Sequence, residues 1–185
     1  MKLETLTQEQ VLLVAKWRNN EMEVCRTPFM LTEEIQEDFY KDIVSNRESN
    51  HRYWAVVRTI EDEIKGIVPE SGFIGMGGIT YIQWENRIGE ITLIIDPKGR
   101  GSGEGEKAVD LLLDQAFNYL NLQTVFGEVY YCNETGYNFW WKIADKYKSP
   151  CADLYHRKYW KGQYYNSMYF SIDKDDFNNR NQSGQ

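Results

Sequence analysis

Residues 91–108 have the sequence Ile91-Thr-Leu-Ile-Ile-Asp-Pro-Lys-Gly-Arg-Gly-Ser-Gly-Glu-Gly-Glu-Lys-Ala108, which predicts a buried strand, a glycine-rich loop and the start of a helix. The strand portion is a continuous, largely apolar run, as is typical of a strand covered on both faces. The loop at residues 100–105 follows the pattern R/Q-x-x-G-x-G/A. Glycine adopts positive φ and lets the backbone approach a ligand, and the unpaired N–H groups at a helix N-terminus attract an anion. The stretch therefore predicts a pyrophosphate-binding loop.

Two other phosphate-binding motifs differ from this loop in spacing or position. A dinucleotide-binding fold requires G-x-G-x-x-G directly after its first strand, with an acidic residue about 20 residues later. Here Gly101, Gly103 and Gly105 alternate, and they follow several predicted strands. A P-loop requires G-x-x-x-x-G-K-[ST], but Ala108 stands where the hydroxyl residue should be. The third interpretation, a loop for the pyrophosphate of acyl-CoA, is favoured by the residues on both sides.

The composition excludes several classes of protein. A formal net charge of −7 makes the chain a poor general binder of nucleic acid. The three cysteines, Cys25, Cys132 and Cys151, lack metal-ligand spacing, and the two histidines, His51 and His156, are too few for a histidine-rich metal site. The sequence has neither a secretory signal pattern nor an apolar run of transmembrane length. We therefore expect a cytoplasmic monomer or homodimer with no metal, no nucleic-acid partner and no membrane partner.

Hydrophobic periodicity along the chain predicts the element order β-α-α-β-β-β-α-β-α-β-β. Thr7 and Thr32 are predicted N-caps of the first two helices, and residues 61–71 are predicted to be a polar connector. This order predicts an α/β (α+β) fold in which helices flank a mixed, mostly antiparallel central sheet. Residues 1–172 are predicted to form one domain, and residues 173–185, which are polar with few apolar anchors, a disordered tail.

Four stretches of the chain share the order and spacing of a known family: residues 89–97, 100–105, 108–117 and 133–142. In that family they are the fourth strand, the pyrophosphate loop, the helix after it and a later helix with the pattern N-x-x-A/S-x-x-L-Y-E-K. Trp17-Arg18-Asn19 adds a weaker match. On these residues the chain resembles the GNAT superfamily of acyl-CoA N-acyltransferases. It is most similar to the branch that contains ribosomal-protein N-terminal acetyltransferases and related polyamine, amino-sugar and antibiotic acetyltransferases.

The resemblance implies an N-acetyltransferase that uses acetyl-CoA as co-substrate and needs no metal. The acetyl group would pass directly to a primary amine in a ternary complex, and the amine could be a protein N-terminus, a polyamine or an amino sugar. In this family the fourth and fifth strands splay apart, and the exposed backbone of the fourth strand binds the pantetheine arm and polarises the thioester carbonyl. The expected CoA-binding residues are Ile94, Ile95, Arg100, Gly101, Ser102, Gly103, Glu104, Gly105, Asn133 and Trp140.

Glu90 is the predicted general base, because amide formation requires a neutral amine and a carboxylate on a central strand can accept the proton through water. A solvated charge at a strand end is the simpler explanation of this residue, and Glu85 and Glu128 are weaker alternatives for the base. The tyrosine that the family places near the sulfur is replaced by Trp140, whose indole is not an acid near neutral pH. Tyr137, one helical turn earlier, or solvent is therefore predicted to protonate the departing thiolate.

The acceptor side is predicted to include Trp17, Arg18, Phe29 and Met30, although core packing explains Trp17 equally well. The loop also contains two carboxylates, and nearby basic residues are expected to offset their charge. The carboxylates are Glu104 and Glu106, and the basic residues are Lys98, Arg100 and Lys107. The acidic loop and Trp140 keep a second function open, namely a GNAT-like module that binds acyl-CoA with little or no catalysis.

Overall fold

The computed structural model describes residues 1–59 and 72–183, so the connector predicted at residues 61–71 lies outside the described part. Within these residues the strands are β1 (Lys2–Thr5), β2 (Arg52–Val57), β3 (Phe73–Gln83), β4 (Ile88–Ile95), β5 (Thr124–Tyr130), β6 (Cys151–Trp160) and β7 (Gln163–Asp173). The α-helices are α1 (Gln8–Asn20), α2 (Glu33–Phe39), α3 (Glu104–Asp114), α4 (Glu134–Lys146) and α5 (Lys174–Ser183). Helices α2 and α3 each continue into a π-helical turn, Tyr40–Val44 and Gln115–Tyr119, and a 3-10 turn, Pro97–Gly99, follows β4. The predicted order of elements is confirmed, with one helix added at the C-terminal end.

The two threonine caps predicted for α1 and α2 are confirmed. The Thr7 hydroxyl accepts a hydrogen bond from the backbone N–H of Gln10, and the Gln10 side chain accepts one from the backbone N–H of Thr7. The Thr32 hydroxyl accepts from the backbone N–H of Ile35. These bonds satisfy donors that a helix start leaves unpaired, so both helices begin where the local sequence places them.

The sheet has the strand order β1-β2-β3-β4-β5-β7-β6. Strands β4 and β5 run parallel, and the other neighbouring pairs of described strands run antiparallel. The parallel register covers three pairs and ends where Glu90 faces Phe126, although β4 continues to Ile95 and β5 to Tyr130. The predicted mixed, mostly antiparallel sheet is therefore confirmed, and a gap opens between two central strands beyond Glu90.

Helices cover both faces of the sheet. On one face α3, α4 and α5 enclose the larger core, to which α3 contributes the fully buried Val109, Leu112 and Leu113. Burial of each leucine side chain contributes about 2 kcal/mol. A Cβ at Gly77 of β3 would lie 2.6 Å from the Leu112 side chain, so the glycine lets α3 approach the sheet. On the other face, α1 and α2 pack over β2 and β3 around a second core that includes Val11 and Val14.

The C-terminal residues differ from the sequence prediction of a disordered tail, because residues 174–183 form α5. The helix is polar, but Phe177 is buried and its ring packs 5.3 Å from that of Phe117. The Lys174 ammonium donates to the Phe117 carbonyl at 2.8 Å, and the Arg180 guanidinium donates to the Lys146 carbonyl at 2.9 Å. One buried aromatic ring and two bonds to helix-end carbonyls thus stabilise a helix whose composition favours disorder.

Candidate active site

The glycine-rich loop after β4 has the backbone geometry that only glycine adopts readily. Gly101 and Gly103 have φ values of +84° and +83°, and a Cβ at either position would meet no described atom within 4 Å. The backbone conformation, and not a lack of space, therefore requires glycine at both positions. Gly103 is also the N-cap of α3 and offers no side-chain cap, so the N–H groups of the first helical turn remain available to an anion.

The two loop carboxylates have cationic partners. The Arg58 guanidinium donates two hydrogen bonds to Glu104, and these bonds, opposed by burial, lower the pKa of that carboxyl. Lys107 adds a favourable charge, as we expected, and Glu106 forms an ion pair with Lys142 of α4. Arg58 and Lys142 therefore provide most of the compensation that the sequence analysis assigned to residues nearer the loop.

Arg100, the predicted ligand of the pyrophosphate, forms a two-pronged ion pair with Glu21 just beyond α1. Its Nη1 and Nη2 atoms each lie 2.7 Å from a Glu21 carboxylate oxygen. Both side chains are about one-third exposed, so the pair is weakened by solvent. An anion bound at the loop would compete with Glu21 for the guanidinium.

Glu90 and Glu128 lie on facing strands at the point where β4 and β5 separate. Glu90 is 8% exposed, and Arg26, from the segment between α1 and α2, donates to both of its oxygens at 2.5 and 3.1 Å. The hydrogen bond to Glu90, opposed by burial, raises the pKa of Arg26. The Nη2 atom of Arg26 also lies 3.7 Å from a carboxylate oxygen of Glu128. An arginine therefore lies between two carboxylates at this end of the gap.

The carboxylates of Glu90 and Glu128 accept hydrogen bonds from different numbers of residues. Burial alone would raise the pKa of Glu128, but hydrogen bonds from Arg157 at 2.9 Å and from the Ser167 hydroxyl at 2.6 Å lower it overall. A carboxylate with several fixed donors is a weak proton acceptor. Glu85 lies in the exposed turn between β3 and β4, away from the gap. Glu90 also accepts two hydrogen bonds, but both come from one half-exposed side chain, Arg26, so of the three candidate bases the geometry favours Glu90.

Lys158 brings a further positive charge to this region. It is 5% exposed, and its ammonium donates to the backbone carbonyl of Cys25. The same ammonium lies 5.4 Å from the ring centroids of both Tyr130 and Trp160, which are favourable cation–π distances. This lysine joins β6 to the segment that carries Arg26.

At the start of α4, Asn133 is the N-cap, and its side chain accepts from the N–H of Gly136 at 2.9 Å. Trp140 packs into the core, with its ring stacked 5.3 Å from Phe170 and edge-on at 5.0 Å to Phe139. These ring contacts support a packing role for Trp140. Tyr137 lies edge-on to Tyr131, one residue beyond β5, at 5.1 Å.

Trp140→Phe should therefore retain roughly half or more of the activity, because the indole supplies packing and at most one hydrogen bond. Tyr137→Phe should reduce the rate further if that hydroxyl protonates the thiolate. The measurement is the rate of CoA thiol release at saturating substrates, with melting temperature as the folding control. A large loss in Trp140→Phe at unchanged stability and CoA affinity would show that the indole has a chemical role.

The four residues predicted on the acceptor side occupy different environments. Trp17 packs into the second core, with its ring stacked 6.0 Å from Phe73, so core packing accounts for it. Arg18 donates to the Thr27 hydroxyl at 3.0 Å. Phe29 and Met30 are 55% and 59% exposed on the segment between α1 and α2. Arg18, Phe29 and Met30 remain predictions for acceptor contacts.

None of the helices within residues 1–59 and 72–183 combines the length and apolarity needed to cross a membrane. The same residues contain no group of three or more His, Cys, Asp or Glu side chains that could hold a metal ion.

Residues 1–139 match the family model described as an acetyltransferase (GNAT) domain. No curated protein matches the chain by sequence. Among solved structures, a mutant of the spermidine N-acetyltransferase SpeG from Vibrio cholerae has a TM-score of 0.77 at 19% identity, covering 98% of this chain and 99% of that one. The Vibrio cholerae spermidine N-acetyltransferase in complex with CoA and spermine has a TM-score of 0.76 at 18% identity, covering 95% and 96%. The structural likeness supports the fold, and because the family model covers well over half of the sequence, the chain belongs to the GNAT acetyltransferase family.

Proposed function

We propose that this acetyltransferase moves an acetyl group from acetyl-CoA directly to a primary amine in a ternary complex. The proposal rests on one observation: the central strands β4 and β5 separate beside Glu90, and the glycine loop lies at the other end of the gap between them. This arrangement supplies an anion site, a strip of unpaired strand backbone and a buried carboxylate in one continuous region. No covalent intermediate on the enzyme is required.

The donor would lie along the gap. The N–H groups of Gly101, Gly103 and Gly105 and the Arg100 guanidinium would bind the pyrophosphate, with Ser102 and Glu104 shaping the loop. The backbone of Ile94 and Ile95 would bind the pantetheine arm, and Asn133 would contact it from the start of α4. A Cβ at Gly105 would lie 2.9 Å from the Phe139 ring. Close packing of α3 on α4 therefore also explains why this position is a glycine.

Glu90 would remove the proton that an ammonium must lose before it attacks the thioester. For this step Arg26 must release at least one of the two Glu90 oxygens to which it donates. A backbone N–H of β4 would stabilise the charge that develops on the thioester oxygen. Tyr137 or solvent would then protonate the departing thiolate.

The acceptor could be a protein N-terminus, a polyamine or an amino sugar. The sequence resemblance to the branch of ribosomal-protein N-terminal acetyltransferases supports the first, and the names of the SpeG neighbours draw attention to the second. Each of these acceptors presents a primary amine, so the chemistry proposed for Glu90 applies to all three.

A thiol-release assay with acetyl-CoA and a panel of primary amines tests the proposal. We expect amine-dependent release of free CoA and a product heavier by one acetyl group in mass spectrometry. Acetyl-CoA binding without release on any amine would instead support the second function, an acyl-CoA-binding module with little catalysis. Trp140→Tyr in the same assay shows whether a tyrosine at that position restores release.

A further inference from the structure

Several cations of the described residues lie around the gap beside Glu90, although the whole chain has a formal net charge of −7. The carboxylates Glu90 and Glu128 lie there together with the cations Arg26, Arg157 and Lys158. Arg18 is close to the same segment, because it donates to the hydroxyl of Thr27, the residue next to Arg26. Among the described residues, acidic side chains lie at the rim as well: Glu23 is exposed near Cys132, and Asp153 accepts from the Tyr131 hydroxyl. Such a surface attracts anions as well as amines.

The hydrogen bonds between these side chains restrict which kind of acceptor can reach Glu90. Both oxygens of Glu90 accept hydrogen bonds from Arg26, so an ammonium reaches Glu90 only when Arg26 gives way. Among the ion pairs of the described residues, Arg26 has one other carboxylate, Glu128, which already accepts from Arg157 and Ser167. Glu90 is buried but Arg26 is half-exposed, so an ammonium that takes Glu90 leaves the guanidinium to solvent or to another anion beside it.

A purely cationic acceptor replaces only one half of the Arg26–Glu90 ion pair. Its ammonium would pair with Glu90, but it would leave the Arg26 guanidinium without its partner and close to a second positive charge. An acceptor that carries an amine and an anionic group a few atoms apart would replace both halves of the ion pair. Its ammonium would take Glu90, and its carboxylate or phosphate would take Arg26, for which two-pronged binding of such anions is favourable geometry.

We infer that the acceptor is an amine with an anionic group close to it, and that Arg26 is the specificity-determining residue that binds this group. The inference rests on the proposed function and refines it. Half of the Arg26 side chain is exposed, so it can meet a ligand while it still reaches Glu90. This specificity would separate the chain from neighbours of the same fold that are named for spermidine.

Two matched acceptor series test the inference. The first contains γ-aminobutyrate, n-butylamine and putrescine, which have the same four-carbon chain and differ in the charge at its far end. The second contains the peptides Ala-Glu, Ala-Gln and Ala-Lys with amidated C-termini. We expect kcat/KM for the anionic member to exceed that for the neutral member by about tenfold and that for the cationic member by more, in at least one series. A preference in the first series alone identifies a small acceptor, and one in the second alone a peptide N-terminus.

Variants of Arg26 assign the preference to this residue. Arg26→Gln should bring the anionic-to-neutral ratio of kcat/KM close to one, and Arg26→Lys should keep part of it. Arg47→Gln is the control, because Arg47 is exposed and pairs only with its neighbour Glu48 among the ion pairs of the described residues. Melting temperature and acetyl-CoA affinity show whether each variant is folded.

Two results would overturn the inference while leaving the proposed function intact: putrescine or Ala-Lys as the best acceptor, or a ratio unchanged in Arg26→Gln. Protein that binds acetyl-CoA but releases no thiol with any member of both series, nor with spermidine or an amino sugar, would contradict the proposed function itself and the inference with it.

Discussion

Glu90→Gln should lower kcat for thiol release by about a hundredfold near neutral pH and leave acetyl-CoA affinity nearly unchanged. Glutamine keeps the size of the side chain and a hydrogen-bond acceptor for Arg26, but it cannot take a proton. The ammonium of an alkylamine has a pKa of about 10, so at neutral pH almost every acceptor molecule still carries the proton that must be removed. As the pH rises, more of the amine is already neutral, and the loss in the variant should therefore shrink.

The measurement is kcat across a pH series for wild type and Glu90→Gln, with CoA affinity determined in parallel. Glu48→Gln is a matched control, because Glu48 is exposed and lies in the segment between α2 and β2. A turnover that is unchanged at every pH would remove Glu90 from the mechanism and direct attention to Glu128 or to solvent.

Gly103→Val should abolish detectable binding of CoA. Gly103 has a φ of +83°, and a non-glycine residue in that region costs about 1–2 kcal/mol, with β-branched side chains at the upper end. A Cβ there meets no described atom within 4 Å, so the predicted damage comes from the backbone, which would move the N–H groups at the start of α3 away from the pyrophosphate. Titration calorimetry with CoA measures the loss.

Gly162→Val provides the matched control for this substitution. Gly162 has a φ of +86° in the turn between β6 and β7, and a Cβ there also meets no described atom within 4 Å. This variant should lose similar stability and still bind CoA. If Gly103→Val binds CoA as tightly as wild type, the loop does not contact the pyrophosphate through this part of its backbone.

Much of the fold could be predicted because its signals are local. The caps at Thr7 and Thr32 depend on residues within a few positions of each other, and the structure confirms them. The helix α5 was missed because its stability comes from the contact of Phe177 with Phe117, 60 residues earlier. Composition alone correctly describes α5 as polar, but it contains no information about such a contact.

The candidate site likewise has one part that follows from a local motif and another that depends on long-range contacts. The loop at Gly101 and Gly103 follows from a short spacing, and its left-handed glycines agree with the prediction. Arg26 and Lys158 could not be predicted, because Arg26 contacts Glu90 across 64 positions and Lys158 contacts Cys25 across 133. Isolated basic residues of this kind have no periodicity or motif, so only the folded chain brings them to the gap.

The most direct test of the account is the thermal stability of the wild-type protein with acetyl-CoA, NAD and ATP at equal concentrations. A ligand that binds only the native state stabilises it by mass action, by about 2.7 kcal/mol at a concentration one hundred times its Kd. We expect a clear rise in melting temperature with acetyl-CoA and little change with NAD or ATP. A rise with NAD or ATP and none with millimolar acetyl-CoA would contradict the assignment of the loop and the strand gap to an acyl-CoA.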